Sequence, residues 1–587
     1  MNTLTLGTGF INKTSIDYVG TSDCKAIARW SSIPYQNSDR NIGVIAFHKD
    51  GIDRVEFSAN DGPWFSVSQR SLNPKTNINE YYVELNPEEV HENRVIEIRA
   101  IVYPKNNGIP RILQGSLEGL CVDKIKQNSF YDGNHSMYVT SNKIKATAWV
   151  SNSGNDISAD GTEYNPYLTI QYAAMKLSQQ NNNPSNCRIF LKSGQYTIGA
   201  PQTNISPNYG WLTIESAPGL SREDVSIIGC SAGGMKVRLL HFKNVKFYNF
   251  IGIRTSQTID SFLWVEKCLL TTDSNQIDTG GLATSGWMGV YATECEAINT
   301  RNSFRMANLV RNCKAYHISE TPLGANSTVI NFICDNYVKY QTDHADVLHW
   351  FWNDPGTREN RIIYGLKATR FGTQGFYTEP RPSGGQRLDN LAMVNVHVSQ
   401  DNNSQSGSWF TMDSNHTLLW NVQMPDQPIR ITVAGGDRDD DKIFDMKNLD
   451  IRNCIFQSLH GIGVNLAKVN HLHLLEPIYG YIVPTGNDVT LNWMTGKESI
   501  FVDVLEKNYT IKPGTVADKR VPMSETLTLS RIDGMISTSG ERLSNLLDDW
   551  GTSSSISDIN KDGMVDGVDL SLLLSESENK VPLGAFI

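Results

Sequence analysis

Between Arg238 and about Phe456 the chain repeats a short phrase: an apolar pair, one or two polar residues, Asn or Lys, then Cys or another small apolar residue. It runs LeuLeuHisPheLysAsnVal to Val245, TrpValGluLysCys to Cys268, TyrAlaThrGluCys to Cys295 and LeuValArgAsnCys to Cys313. ValIleAsnPheIleCys ends at Cys334 and AspIleArgAsnCys at Cys454, with weaker copies near Ala368, Val396 and Val422. Most copies alternate apolar and polar positions, the period of a strand and not of a helix. They recur at irregular steps of roughly 18 to 34 residues, as one strand-bearing coil per copy with variable loops would give. The pattern predicts a parallel β-solenoid with the Cys and Val positions stacked along its interior.

Before the repeat, residues 1–38 are polar without a clear period and read as an arm or anchor. Residues 39–118 hold alternating runs, among them AsnIleGlyValIleAlaPheHis, ArgValGluPheSer, TyrTyrValGluLeu and ValIleGluIleArgAlaIleValTyr, divided by AspGly and AsnAspGlyPro turns. Those runs predict a small β-sandwich. GlyIleAspArgValGluPheSerAlaAsnAspGlyProTrp, with the later GluIleArgAlaIle run, resembles the immunoglobulin-like modules of surface proteins and carbohydrate-active enzymes. Residues 119–145 read as linker and 146–515 as the solenoid.

The solenoid segment opens with TrpValSerAsnSerGlyAsnAsp, a turn-rich stretch through Gly161, Thr162 and Pro166, and then ThrIleGlnTyrAlaAlaMetLysLeu. Ile170, Ala173, Ala174 and Leu177 fall on one helical face, which predicts a helix capping the open end of the solenoid. A strand and Gly turn, LeuLysSerGlyGlnTyr, follow. This order resembles the first coil of the pectate-lyase-like right-handed β-helix superfamily, a resemblance that is close over Ala148 to Tyr196. It implies a fold class: mainly β, a right-handed parallel β-helix with an N-terminal β-sandwich and a small C-terminal helical calcium-binding module. It leaves activity open, because that superfamily includes lyases, hydrolases, epimerases and non-catalytic phage tail proteins.

Composition changes this picture little. Charged residues make up 19% of the 587, as suits a turn-rich β protein, and a formal charge of −10 argues against a nucleic-acid or anionic-membrane surface. No apolar run is long enough to insert in a membrane. The nine cysteines are odd in number and scattered, and five sit at coil positions, which favours buried thiols acting as small hydrophobes.

The densest polar cluster is Tyr340 to Asp354. Strand alternation there brings His344 and Asp346 to one side, and a bend adds Asp343 or His349; these four are the candidate catalytic residues. Trp350 and Trp352 beside them offer flat stacking surfaces, and the next coils bring Arg358, Arg370, Tyr377, Glu379 and Arg381, together a candidate site for an acidic glycan. A lyase would need a base and a cation on the uronate. A glycosidase would need two carboxylates, about 5–5.5 Å apart for retention or about 6.5–9.5 Å for inversion. The alternative is a corner where Asp and His satisfy turn backbone and the aromatics pack between coils.

The sharpest motif is AspIleAsnLysAspGlyMetValAspGlyValAsp near the C-terminus. Asp558, Asn560, Asp562, Met564 through its carbonyl, Asp566 and Asp569 stand at calcium-loop positions, with Gly563 at the sharp turn. With the following LeuSerLeuLeuLeu the loop resembles a dockerin repeat, so residues 525–580 are expected to form a dockerin-like Ca²⁺-binding module. The acidic loop Gly435 to Lys442 reads as a solvated turn. Met1 to Ile11 shows no secretory pattern, and with a construction typical of surface proteins this predicts release by lysis. The expected setting is a virion surface, where the protein contacts other virion structural proteins, forms a homotrimer as tailspikes do, and binds or cleaves host polysaccharide. The alternatives are an extracellular polysaccharide lyase or hydrolase and a purely structural stalk.

Overall fold

In the computed structural model the described residues are 3–4, most of 24–198, the strands and part of the connecting turns between 211 and 511, and Met564. Parallel pairing runs coil to coil from Ala146–Val150 to Val489–Trp493 in one 20-stranded sheet. A second parallel sheet joins Leu348–Trp350, Phe376–Thr378, Ser408–Phe410, Ile429–Ile431 and Leu459–Gly461. The chain is therefore a parallel β-helix. The strands at its end, Phe501–Asp503 and Asn508–Ile511, pair antiparallel and lie outside that ladder.

The repeated phrase is a corner. In successive coils Asn244, Lys267, Glu294, Asn312, Asn331, Gly365, Asn395, Asn421 and Asn453 all have positive φ, between 51° and 74°. Asn tolerates that region better than most residues with a side chain, which is why it dominates the phrase. Its amides also bond between coils, Asn331 Nδ2 to Asn312 Oδ1 at 3.0 Å and Asn421 Nδ2 to Asn395 Oδ1 at 3.3 Å. Gly365 replaces Asn where a Cβ would stand 2.8 Å from Asn331 Oδ1.

The residue after each corner points inward: Val245, Cys268, Cys295, Cys313, Phe332, Leu366, Val396, Val422 and Cys454 all belong to one buried core. The expected stack of cysteines is thus right but for Cys334, which lies three residues past the corner Asn331, against Ala315 and Ala368. All seven described cysteines are buried, and none of them is in a disulfide.

The cap forms as the helical spacing predicts. Ile170–Gln179 is the one α-helix among the described residues and buries Ile170, Ala173, Ala174 and Leu177 against the first coil. Asp156 fixes its start, accepting the backbone N–H of Leu168 (2.8 Å) and of Thr169 (3.1 Å) on Oδ1 and the Thr169 hydroxyl (2.7 Å) on Oδ2. No described helix is long and apolar enough to cross a membrane.

The N-terminal strands form two sheets facing each other across a core that includes Ala28, Trp30, Val44, Ala46 and Val83 from one sheet and Val55, Phe57, Ile96, Ile98 and Val139 from the other. The structure redraws both expected boundaries of this domain. The arm at 1–38 contributes Ile27–Trp30, paired with Asn41–Phe47, and Tyr35–Gln36. The linker at 119–145 contributes Met137–Thr140, paired with Val95–Pro104. Ile27–Trp30 shows no polar alternation because it is buried on both sides.

That second side is the solenoid. Ile27, Ile33, Ile45, Phe47 and Ile78 pack on the outward residues Trp264, Tyr291, Leu309, Ile330, Ile362, Tyr364, Val394 and Trp420 in one continuous apolar cluster. Polar bonds pin the seam: Asn360 accepts from Ala28 N–H and donates to Ala28 O, each at 2.8 Å, and an Arg311 guanidinium N–H donates to Ser31 O at 3.0 Å. Arg452 donates to the Lys49 carbonyl. With burial of each large aliphatic or aromatic side chain contributing about 2 kcal/mol, the seam is a structural interface and not a loose tether.

Candidate functional site

The residues expected to form a site around Tyr340 to Asp354 fall in two groups. Asp343, His344, Trp352, Arg358, Glu379 and Arg381 lie outside the described residues, and Arg370 and Tyr377 are described only as backbone within the strands Arg361–Phe371 and Phe376–Thr378. The described members do not line an open groove. Asp346 is 1% exposed and Trp350 1%, and Trp350 belongs to the solenoid core beside Val347 and Leu348. His349 Nδ1 lies 3.2 Å from Asp346 Oδ2, and the Arg361 guanidinium sits 5.1 Å from the Trp350 ring centroid. Strand alternation puts Trp350 on the same side as Leu348, and that side faces inward. Trp350, expected as a stacking surface, is core filler, and Asp346 and His349, expected among the candidate catalytic residues, form a buried pair. Of the calcium-loop residues only Met564 is described, and it is exposed; Asp558, Asn560, Asp562, Asp566 and Asp569 lie outside the described residues.

A different surface carries chemistry. In each coil the residues flanking an inward position face out, and register stacks them in rows. Inward, Ala148, Ile189, Ile214, Phe242 and Val265 make a core column. Outward, one position on from that column, stand Trp149, Phe190, Glu215, Lys243 and Glu266; one row over stand Arg188, Thr213, His241 and Trp264. At about 4.8 Å per strand the first row is ~19 Å long. It leads away from the cap and reaches the seam where the two-sheet domain covers Trp264 and Tyr291.

The row begins with an aromatic platform. Trp149 and Phe190 are half-buried, their ring centroids 5.0 Å apart and their planes at 39°. Ion pairs follow: an Arg188 guanidinium nitrogen donates to Glu215 Oε1 at 3.0 Å, and Lys243 Nζ lies 3.3 Å from Glu266 Oε2. His241 sits beneath, stacked on Trp264 at 3.7 Å with planes 5° apart, its Nδ1 3.2 Å from Thr213 Oγ1 and its Nε2 3.1 Å from Glu266 Oε2. Burial pulls the His241 imidazole below its ordinary range, so it is neutral at physiological pH. For Glu266 burial acts to raise the carboxyl, but contact with His241 and the Lys243 ammonium outweigh it and keep Glu266 a carboxylate. The face thus offers a flat apolar surface followed by alternating fixed donors and acceptors, the two kinds of contact a sugar ring presents.

Sequence reasoning passed over this row because its residue types, Trp, Phe, Glu, Lys, Glu, share no motif. One signal was available: each outward residue from Lys243 onward immediately precedes a corner residue, as in Lys243–Asn244 and Glu266–Lys267.

No protein-family model matches the chain, and no curated protein matches it. Among solved structures it is similar to a crystal structure of pectate lyase Pel9A, at 12% identity and a TM-score of 0.30, covering 65% of this chain and 88% of that one.

Proposed function

We propose that this protein is a polysaccharide-binding β-helix protein of the virion-surface kind, with its glycan lying along the Trp149–Glu266 row. The observation that carries the reading is the Trp149–Phe190 platform running without a break into paired charged side chains on a rigid parallel ladder. Rigid stacking surfaces beside fixed hydrogen-bonding groups bind sugars at low entropic cost. Binding is favoured over cleavage because Glu215 and Glu266 are each held in an ion pair, which leaves neither poised as a general acid. In this reading the N-terminal domain is an immunoglobulin-like module that braces the solenoid, and Asp558, Asn560, Asp562, Met564, Asp566 and Asp569 hold Ca²⁺ in a dockerin-like module that rigidifies the C-terminal end. The surface setting is supported by the combination of these three parts in one chain.

Two experiments test the reading. Retention of the purified chain on a panel of immobilised polysaccharides, abolished by Trp149→Ala with an unchanged melting temperature, is the expected result; retention by no polysaccharide refutes it. Mass spectrometry of purified particles is expected to find the chain among the structural proteins, and its absence there removes the virion setting while leaving glycan binding to stand.

A further inference from the structure

Resting on that polysaccharide-binding reading, we propose that the ligand of the Trp149–Glu266 row is a neutral, hydroxyl-rich glycan and not a polyuronate. The row and its flank carry two cations and two carboxylates, and each cation is matched: Arg188 to Glu215 at 3.0 Å, Lys243 to Glu266 at 3.3 Å. His241 adds no charge, being buried against Trp264. The surface therefore has no net charge, although the side chains of Arg188 and Lys243 keep 36% and 35% of their area open to solvent.

A uronate carboxylate arriving here must either displace a glutamate from its partner or lie beside that glutamate with no cation left to meet it. Both arrangements put like charges at contact distance. The chain's formal charge of −10 opposes a polyanion at longer range as well. A neutral sugar meets no such obstacle. Its hydroxyls accept from the solvent-open guanidinium and ammonium N–H groups of Arg188 and Lys243 without breaking either pair, while its C–H face lies on Trp149 or Phe190. Glu215 and Glu266 thus set specificity by occupying the cations that an acidic glycan would need.

The test is affinity electrophoresis of the full chain through gels containing dextran, a β-glucan or a galactomannan, against gels containing polygalacturonate or alginate, at about 50 and about 500 mM salt. Retardation by a neutral glycan is expected, changing less than about twofold with salt and weakened about tenfold or more by Trp149→Ala. Glu215→Gln and Glu266→Gln keep side-chain volume while releasing Arg188 and Lys243. They are expected to raise affinity for polygalacturonate about tenfold at low salt, a gain lost at high salt. Wild-type retardation by polyuronates, salt-sensitive and abolished by Trp149→Ala, overturns the neutral-glycan assignment and leaves glycan binding at this face intact. Glutamine variants that gain no affinity for polyuronates also overturn it. Retardation by neither class overturns the polysaccharide-binding reading itself, and this inference with it.

Discussion

Lowering the pH from about 7 to about 4.5 is expected to loosen the seam between the two-sheet domain and the solenoid at its His48–His416 end. His416 accepts the Lys49 backbone N–H on Nε2 at 3.1 Å, and its Nδ1 lies 2.9 Å from the Lys25 carbonyl, to which it donates. That pattern fits only a neutral ring, because a proton on Nε2 would displace the Lys49 bond. His48 packs edge-on against it with centroids 4.8 Å apart, and its Nδ1 accepts the Asp50 N–H at 3.1 Å. Burial lowers His48 from 6.5 to about 4, with Asp50 opposing and Lys49 and Arg452 adding to the shift. Burial also puts His416 well below its ordinary range, and the neighbouring His48, Lys49 and Arg111 push the same way.

The sign follows directly. An opened seam returns these rings to water, where they bind protons more readily, so the contribution of His48 is full above about pH 6.5 and is lost as pH falls towards about 4, and His416 adds a loss of the same sign. For His48 alone the loss between pH 7 and pH 4.5 is about 2 kcal/mol, a rise of some tens of fold in the opening constant. Hydrogen exchange at the Ala28 amide, which bonds to Asn360 Oδ1 across the seam, measures this once corrected for the intrinsic pH dependence of exchange. The His48→Asn, His416→Asn double variant, in which Asn suits the positive φ of residue 416, should lose most of the pH slope. Equal protection of Ala28 at both pH values, or an undiminished slope in the double variant, would refute the reasoning.

Gly43→Ala should destabilise the two-sheet domain by about 1–3 kcal/mol in thermal melts, because the new Cβ would stand 2.1 Å from the carboxyl carbon of the fully buried Glu80. A water-soluble thiol reagent should label at most Cys121 and Cys230 in the native chain, since the other seven of the nine cysteines are buried; for Cys187 burial also pushes the thiol up to about 12. Labelling at Cys268, Cys295 or Cys313 without unfolding would contradict the core assignment. Chelation should lower the melting temperature of the segment around Asp558–Asp569, and an unchanged melt with no bound calcium by metal analysis would remove that site.

The candidate site shows where pattern reading stops. Alternation told which residues share a side with Leu348, but both sides of a buried strand can be apolar, and the pattern carries no label for inside. Trp350 therefore read as a stacking surface when it fills the core. Trp149 and Phe190 are 41 residues apart and Glu215 and Glu266 are 51 apart, with no common motif to bring them together. Only coil-to-coil register makes them one surface.

By itself the sequence determined the β-helix, its cysteine-lined interior and its helical cap, because these are local: strand period and helical spacing are written within a few residues of each other. The tertiary structure decided the rest. Docking of the two-sheet domain turns outward Trp, Tyr and Ile residues into an interior, and short, doubly buried strands such as Ile27–Trp30 lose the alternation that would reveal them. Which stretch of the solenoid stays open to a ligand depends on where that docking ends, and this is fixed by contacts between residues hundreds of positions apart, such as Ala28 and Asn360.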